Sequence, residues 1–164
     1  MGIETNIYAN NMKYKKNYNI GLEYEDLFFE KLKEFFSLDP NFKIIQTGFY
    51  DYNDFKIYKN DKLVYTIELK CRINDTSLYP TLMCDKIKLI DYQYDDEINE
   101  SKKNNIFGAF LLINNCKVEN KFYYNNVDKL TWNKCSGNSY LRKNEFIVGK
   151  NENDVFEFIE SSIK

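Results

Sequence analysis

Between Leu63 and Arg72 the sequence reads Leu-Val-Tyr-Thr-Ile-Glu-Leu-Lys-Cys-Arg, a strand-like run with a charged end. Strict alternation puts Glu68, Lys70 and Arg72 on one face with Val64 and Thr66, and Leu63, Tyr65, Ile67, Leu69 and Cys71 on the other. A carboxylate, an ammonium and a guanidinium are costly to bury without partners, and a metal ion together with a phosphate would satisfy all three. A second carboxylate, Asp54, opens the preceding strand-like run. If position i faces position 122 − i across the hairpin, Asp54 stands opposite Glu68 and both point to one face; a slip of one residue sets Asp54 against Ile67, on the wrong side. The loop Asn60-Asp61-Lys62 gives the first register with one residue in the left-handed region, which Asn and Asp tolerate.

Hydrolysis of a phosphodiester near neutral pH needs a nucleophilic water, a counter-charge for the developing phosphorane and a proton for the leaving oxygen. Two carboxylates meeting across a hairpin repel, which raises the pKa of one of them unless a cation intervenes. Magnesium resolves the conflict by taking Asp54, Glu68 and the carbonyl of Leu69 while keeping waters elsewhere in its octahedron, and manganese is expected to substitute. Lys70, on the same face, is placed to orient or deprotonate such a water and to stabilise developing charge. Glu25, on the first helix, completes the shell or helps to hold a second ion. Arg72 and Lys86 are candidate phosphate clamps. An acid two residues before a lysine also occurs at Glu100, Glu119 and Asp54, so the tripeptide alone says little. Its place in a strand paired with Asp54 is what distinguishes it; the alternative is a plain ion pair on a half-exposed sheet.

The elements that must carry these groups follow from periodicity. Ile20 to Leu38 reads as an amphipathic helix with Leu22, Phe28, Phe29, Leu32, Phe35 and Phe36 inward, stopped by Asp39-Pro40. Strands are expected at Phe42–Tyr50, Asp54–Tyr58 and Leu63–Arg72. Thr76–Cys84 reads as a connection, and Asp85 as the cap of a helix to Ser101 with Ile87, Ile90, Tyr94 and Ile98 buried. Ile106–Ile113 is an apolar run of the kind covered on both faces, entered by a crossover that puts it mid-sheet. Weaker strands at Phe122–Tyr124 and Phe146–Val148 and a helix at Asn153–Ile163 complete one domain, residues 19–164. Residues 1–18 form a flexible arm, in which Lys13, Lys15 and Lys16 alternate with Tyr8, Tyr14 and Tyr18. It is either a frayed tail or a nucleic-acid contact.

Composition narrows the chemistry. The 164 residues suit one domain, and 17% aromatic content promises a core rich in Phe and Tyr. The net charge is −2 and the pI about 5.4, so any nucleic-acid contact rests on a local patch or a bound cation. Without a single histidine, the commonest general base and the usual nucleophile triads are excluded. Cys71, Cys84, Cys116 and Cys135 lack zinc-site spacing, and Cys71 and Cys84 read as ordinary small buried residues in a reducing cytoplasm. No glycine-rich phosphate loop, signal-type segment or membrane-spanning run is present. Asp95-Asp96-Glu97 reads as a solvated helix face, and Trp132 as a core or surface aromatic.

At these residues the sequence resembles the PD-(D/E)xK nuclease superfamily of restriction enzymes, Holliday-junction resolvases and phage and viral nucleases. The resemblance spans Ile20 to Ile113 and carries the family roles onto Asp54 and Glu68 as metal ligands, Lys70 as the residue acting on the attacking water, and a helix acid. Gly21-Leu-Glu-Tyr-Glu25 is similar to the opening of archaeal resolvase helices and favours Glu25, with Glu23 a competitor. Asn53 stands where the name-giving motif has proline, and Lys86 resembles a downstream lysine of several lineages. The resemblance implies an α/β restriction-endonuclease-like fold, a mixed central sheet of about five strands flanked by helices in an αβββαβ core. It implies a magnesium-dependent endonuclease acting on DNA, either structure-selective, nicking or restriction-like, cytoplasmic or nuclear, and a homodimer where both strands are cut. An RNA endonuclease of the cap-snatching kind and a non-catalytic nucleic-acid-binding or assembly module of this fold are the alternatives.

Overall fold

The computed structural model describes residues 21–47, 53–72, 81–85, 95–103, 108–115, 121–131, 133–134, 139–143 and 145–163. The arm with Lys13, Lys15 and Lys16, and also Lys86 and Trp132, lie outside the described residues. Helix α1 occupies residues 21–36. It leads into β1 (Phe42–Gln46), β2 (Phe55–Lys59) and β3 (Lys62–Arg72), an antiparallel meander. Helix α2 (Asp96–Lys103) precedes β5 (Gly108–Asn115), which pairs parallel with β3 and so stands inside the sheet, as the crossover requires. Strands β6 (Phe122–Asn126) and β9 (Ile147–Gly149) extend it antiparallel, and α3 (Glu152–Ser162) ends the fold.

Among the described residues the order β1-β2-β3-β5-β6-β9 gives six strands where about five were expected, and the weak strand expected at Phe146–Val148 is the edge strand β9 beside β6. A second, three-stranded sheet is formed by β4 (Thr81–Asp85), β7 (Asn133–Lys134) and β8 (Ser139–Lys143). Thr81–Asp85 is therefore a strand and not a connection, paired with a segment far along the chain, Ser139–Lys143 (Thr81 with Lys143). Asp85 ends β4, and the cap of α2 is Asp95, whose carboxylate accepts from the Ile98 amide at 3.1 Å. The expected inward residues Ile87, Ile90 and Tyr94 lie outside the described residues, while Ile98 is buried as expected.

Two layers cover the hairpin. On one side Phe28, Leu32 and Phe36 of α1 meet Phe55, Ile57, Tyr65 and Ile67 of the sheet and Val155, Phe156 and Ile159 of α3. The Phe28 ring lies 5.4 Å from both Phe55 and Phe156, so a single aromatic joins both helices to β2. Tyr24 and Lys31 reach Glu152 at 3.2 and 2.8 Å and fix α1 along α3. On the other side Ile98 of α2 packs with Leu63 and Tyr58, and the Ser101 hydroxyl donates to the Leu63 carbonyl at 2.7 Å.

The hairpin reaches the site register by an unforeseen route. Its turn has two residues, Asn60 and Asp61, both at positive φ (52° and 64°), and pairs Lys59 with Lys62 and Tyr58 with Leu63. Those pairs sum to 121, which continued down the ladder would set Asp54 against Ile67. Between Ile57 and Tyr58 a bulge shifts the pairing, so Ile57 faces Tyr65 and Phe55 faces Ile67. Val64 is the extra residue, and the sum beyond it is 122. The same bulge reverses the faces of the strand's first residues. Val64 joins the aromatic core, and Leu63 turns to α2, the opposite of strict alternation.

Candidate active site

Asp54 sits one residue before β2, and its amide donates to the Ile67 carbonyl at 2.9 Å, prolonging the ladder toward Glu68. On the other strand its carboxylate oxygen accepts from the Leu69 amide at 2.8 Å. Glu68 is only 3% exposed, a carboxylate buried between Ile67 and Leu69 in β3. Its partner is Lys70, whose ammonium donates to Glu68 Oε1 at 2.5 Å. The alternation of β3 makes this pairing available: residues two apart share a face. Leu69 between them points to the aromatic core, anchoring the segment.

Glu25 approaches from α1. It is half-buried where Glu23 is exposed, and its carboxylate accepts from Gln46 Nε2 at 3.2 Å. Burial first, then the neighbouring Asp26 and Glu68, raises its carboxyl above the ordinary range, against the Gln46 hydrogen bond and Lys70. Asp54 is displaced further, to about 7: burial is the largest cause, the charges of Glu68 and Glu25 add to it, and the Leu69 amide and Lys70 act against it. Glu25, Asp54, Glu68 and Lys70 thus share one electrostatic neighbourhood with three carboxylates and one ammonium.

That balance is the test of fit for a divalent cation. Among the described residues no three acidic or thiol side chains converge into a ready-made metal cluster. The converging donors are Asp54 and Glu68 with the adjoining backbone. Such a set suits magnesium, which takes one or two carboxylates and retains water, and does not suit an all-protein cage of the calcium or zinc kind.

Arg72 ends β3, opposite Asn115 of β5, and its side chain is outside the described set, as is Lys86. Cys71 corrects the expectation of an ordinary thiol, since it is disulfide-bonded. The acidic run is likewise more than solvated surface: Asp95 pairs with Lys56 at 3.2 Å while capping α2, and Glu97 accepts from the Tyr58 hydroxyl at 2.6 Å. Lys56 lies two residues after Asp54, so these bonds dock α2 on the site-bearing face. Gln46 carried no sequence signal, because its importance comes only from the helix brought against it.

Since Asp54 holds its proton more tightly in the folded chain than in the unfolded one, the folded state binds more protons between about pH 4 and pH 7. Stability from this group is therefore present at low pH and lost as pH rises through that window. Thermal melts in chelator are expected to show this fall. Magnesium is expected to raise the melting temperature at pH 7.5 and to have little effect at pH 5, where it must compete with the proton.

Neither a protein-family profile nor a curated protein matches the chain. Among solved structures, Hjc, a Holliday junction resolvase from the archaeal hyperthermophile Archaeoglobus fulgidus, is similar at a TM-score of 0.47 and 11% identity, over 84% of this chain and 95% of that one. No helix among the described residues is long and apolar enough to cross a membrane.

Proposed function

We propose that the chain is a magnesium-dependent endonuclease that hydrolyses phosphodiester bonds in DNA. The observation that carries this reading is the buried Glu68, paired with Lys70 and set beside an Asp54 whose carboxyl is pushed to about 7 by burial and by two further acids. An arrangement meant only for stability gains little from a buried carboxylate pair in the field of a third acid with one lysine among them. A carboxylate pair of that kind is suited to receiving a cation.

Asp54, Glu68 and the Leu69 carbonyl would hold the ion. When bound, it supplies counter-charge for the phosphorane and lowers the pKa of water. The chain's own groups do the rest. Asp54 is held in place by the Leu69 amide, so one carboxylate oxygen is fixed to the backbone and the other is left for the site. Lys70, paired with Glu68 at 2.5 Å, would orient the attacking water with its ammonium and neutralise charge on the phosphoryl oxygens. Glu25 strengthens the negative field and contributes to the outer shell. Arg72 and Lys86, with the basic arm at Lys13, Lys15 and Lys16, are the candidate phosphate contacts. A homodimer would let two such sites act on two strands.

DNA is favoured over RNA by the similarity of Gly21 to Glu25 to archaeal resolvase helices. The test is cleavage of supercoiled plasmid, a synthetic four-way junction, single-stranded DNA and RNA with magnesium or manganese. Metal-dependent cutting lost in Glu68→Ala supports the reading, and the preferred substrate fixes its class. Silence across the panel from a folded protein that binds no metal supports instead a binding or assembly module, in which the 2.5 Å Glu68–Lys70 pair is simply an ion pair.

A further inference from the structure

We propose that Gln46 is a positioning residue that fixes the Glu25 carboxylate at the Asp54–Glu68 site, an inference that rests on the metal-dependent reading of that site. Gln46 is the last residue of β1, directly across the ladder from Phe55, and so stands beside Asp54. The next residue, Thr47, is bound to the same point twice: its amide donates to the Asp54 carbonyl at 2.9 Å, and its hydroxyl donates to the Asn53 carbonyl. The backbone of Gln46–Thr47 is thus tied to the backbone that carries Asp54.

The side chain points the other way, to α1. Its Nε2 lies 3.2 Å from Glu25 Oε1 and 2.9 Å from Asp26 Oδ1, one amide spanning two consecutive acids. An amide nitrogen has two hydrogens and can serve both. Glu25 has three side-chain torsions, and among the described residues its carboxylate has no other hydrogen bond. The Gln46 amide is therefore what converts a flexible acid on one layer into a group of defined position relative to Asp54 on another. Asp26 is exposed, and its bond to Gln46 helps hold the amide in place without reaching the site.

A residue that aims an outer ligand is worth about 10- to 100-fold in metal affinity. The test is manganese binding to the whole chain, read by electron paramagnetic resonance as loss of the free-ion signal, with no substrate present. Gln46→Leu is expected to weaken binding by about tenfold. Gln46→Met, which keeps the unbranched shape, is expected to match it. In a Glu25→Gln background Gln46→Leu is expected to have no further effect, because the residue acts only through that carboxylate. Asp26→Ala should leave affinity within about twofold of the wild type, since the whole amide then belongs to Glu25.

Unchanged affinity in Gln46→Leu and Gln46→Met overturns the inference and leaves the proposed function standing. An equal loss in the Glu25→Gln background also overturns it, and so does an equal loss in Asp26→Ala, which would make Gln46 a strap between α1 and β1. A wild-type protein that binds no manganese overturns the metal-dependent reading, and this inference with it.

Discussion

Asp54→Asn is expected to abolish cleavage and to make the metal-free protein more stable. Asparagine keeps an oxygen to accept from the Leu69 amide at the same position but removes a negative charge that Glu68 and Glu25 disfavour. The loss of a ligand and of its charge is expected to lower cleavage by roughly 10²- to 10³-fold. A carboxyl displaced to about 7 sets an upper bound of ~4 kcal/mol on the repulsion and desolvation relieved at pH 8, at ~1.4 kcal/mol per pH unit. Solvent at this half-buried position reduces the gain to about 2 kcal/mol, or roughly 4–8 °C in melting temperature. The gain should vanish at pH 4, where the native aspartate is protonated, and shrink when magnesium is added to the wild type. Destabilisation at pH 8 in chelator would instead mean that Asp54 is held in its charged form for the sake of the hairpin.

The second large effect is structural. A Cβ built on Gly108 would lie 2.3 Å from Tyr65 Cε2 and 2.9 Å from Cδ2 and Cζ, where no real contact exists. Gly108 pairs with Tyr65 across the parallel β3–β5 ladder, and the ring fills the space that any side chain at 108 would need. Tyr65 is itself buried in the main core, so the ring cannot swing into solvent. Gly108→Ala is therefore expected to cost about 3 kcal/mol or more and to lower the melting temperature by roughly 10 °C. Tyr65→Leu in the same chain should recover part of that loss, because the clash is with the ring. A neutral Gly108→Ala, by denaturant melt, would mean that β5 does not pair with β3 in this register. The crossover that centres the site strand would then be wrong.

The parts of this fold legible from sequence are those decided locally. Helix α1 declares itself by Phe28, Leu32 and Phe36 at helical spacing, and the hairpin by its run of alternating residues around Asn60-Asp61. The facing of Asp54 and Glu68 was legible in outcome but not in cause. A three-residue loop was expected to set it, whereas a two-residue turn and a bulge at Val64 do so together. A bulge is decided by what covers the two faces, here Ile98 against Leu63 and the aromatic core against Val64, and neither neighbour is adjacent in sequence. Strand β4 was missed because Thr81–Asp85 has no alternation of its own and exists through its pairing with β8. The cap of α2 was not legible either: Asp95 lies in an acidic run, and only its bonds to the Ile98 amide and to Lys56 give it that place. Glu25 was separated from Glu23 by burial against Gln46, a contact between layers.

The bulge also bears on the chemistry. Removing Val64's extra register step would leave every site residue in the chain and rotate Asp54 away from Glu68. The site therefore depends on hairpin geometry as much as on the identity of its acids.

The central claim is that Lys70 acts in metal-dependent cleavage and is more than the ion-pair partner of Glu68. The most direct measurement is nicking of supercoiled plasmid in magnesium by the wild type, Lys70→Met and Glu68→Gln, with the fold of each checked by circular dichroism. Metal-dependent nicking by the wild type, with both variants folded and inactive, is the predicted result. Folded variants that nick as fast as the wild type, or a folded wild type that never nicks, would contradict it.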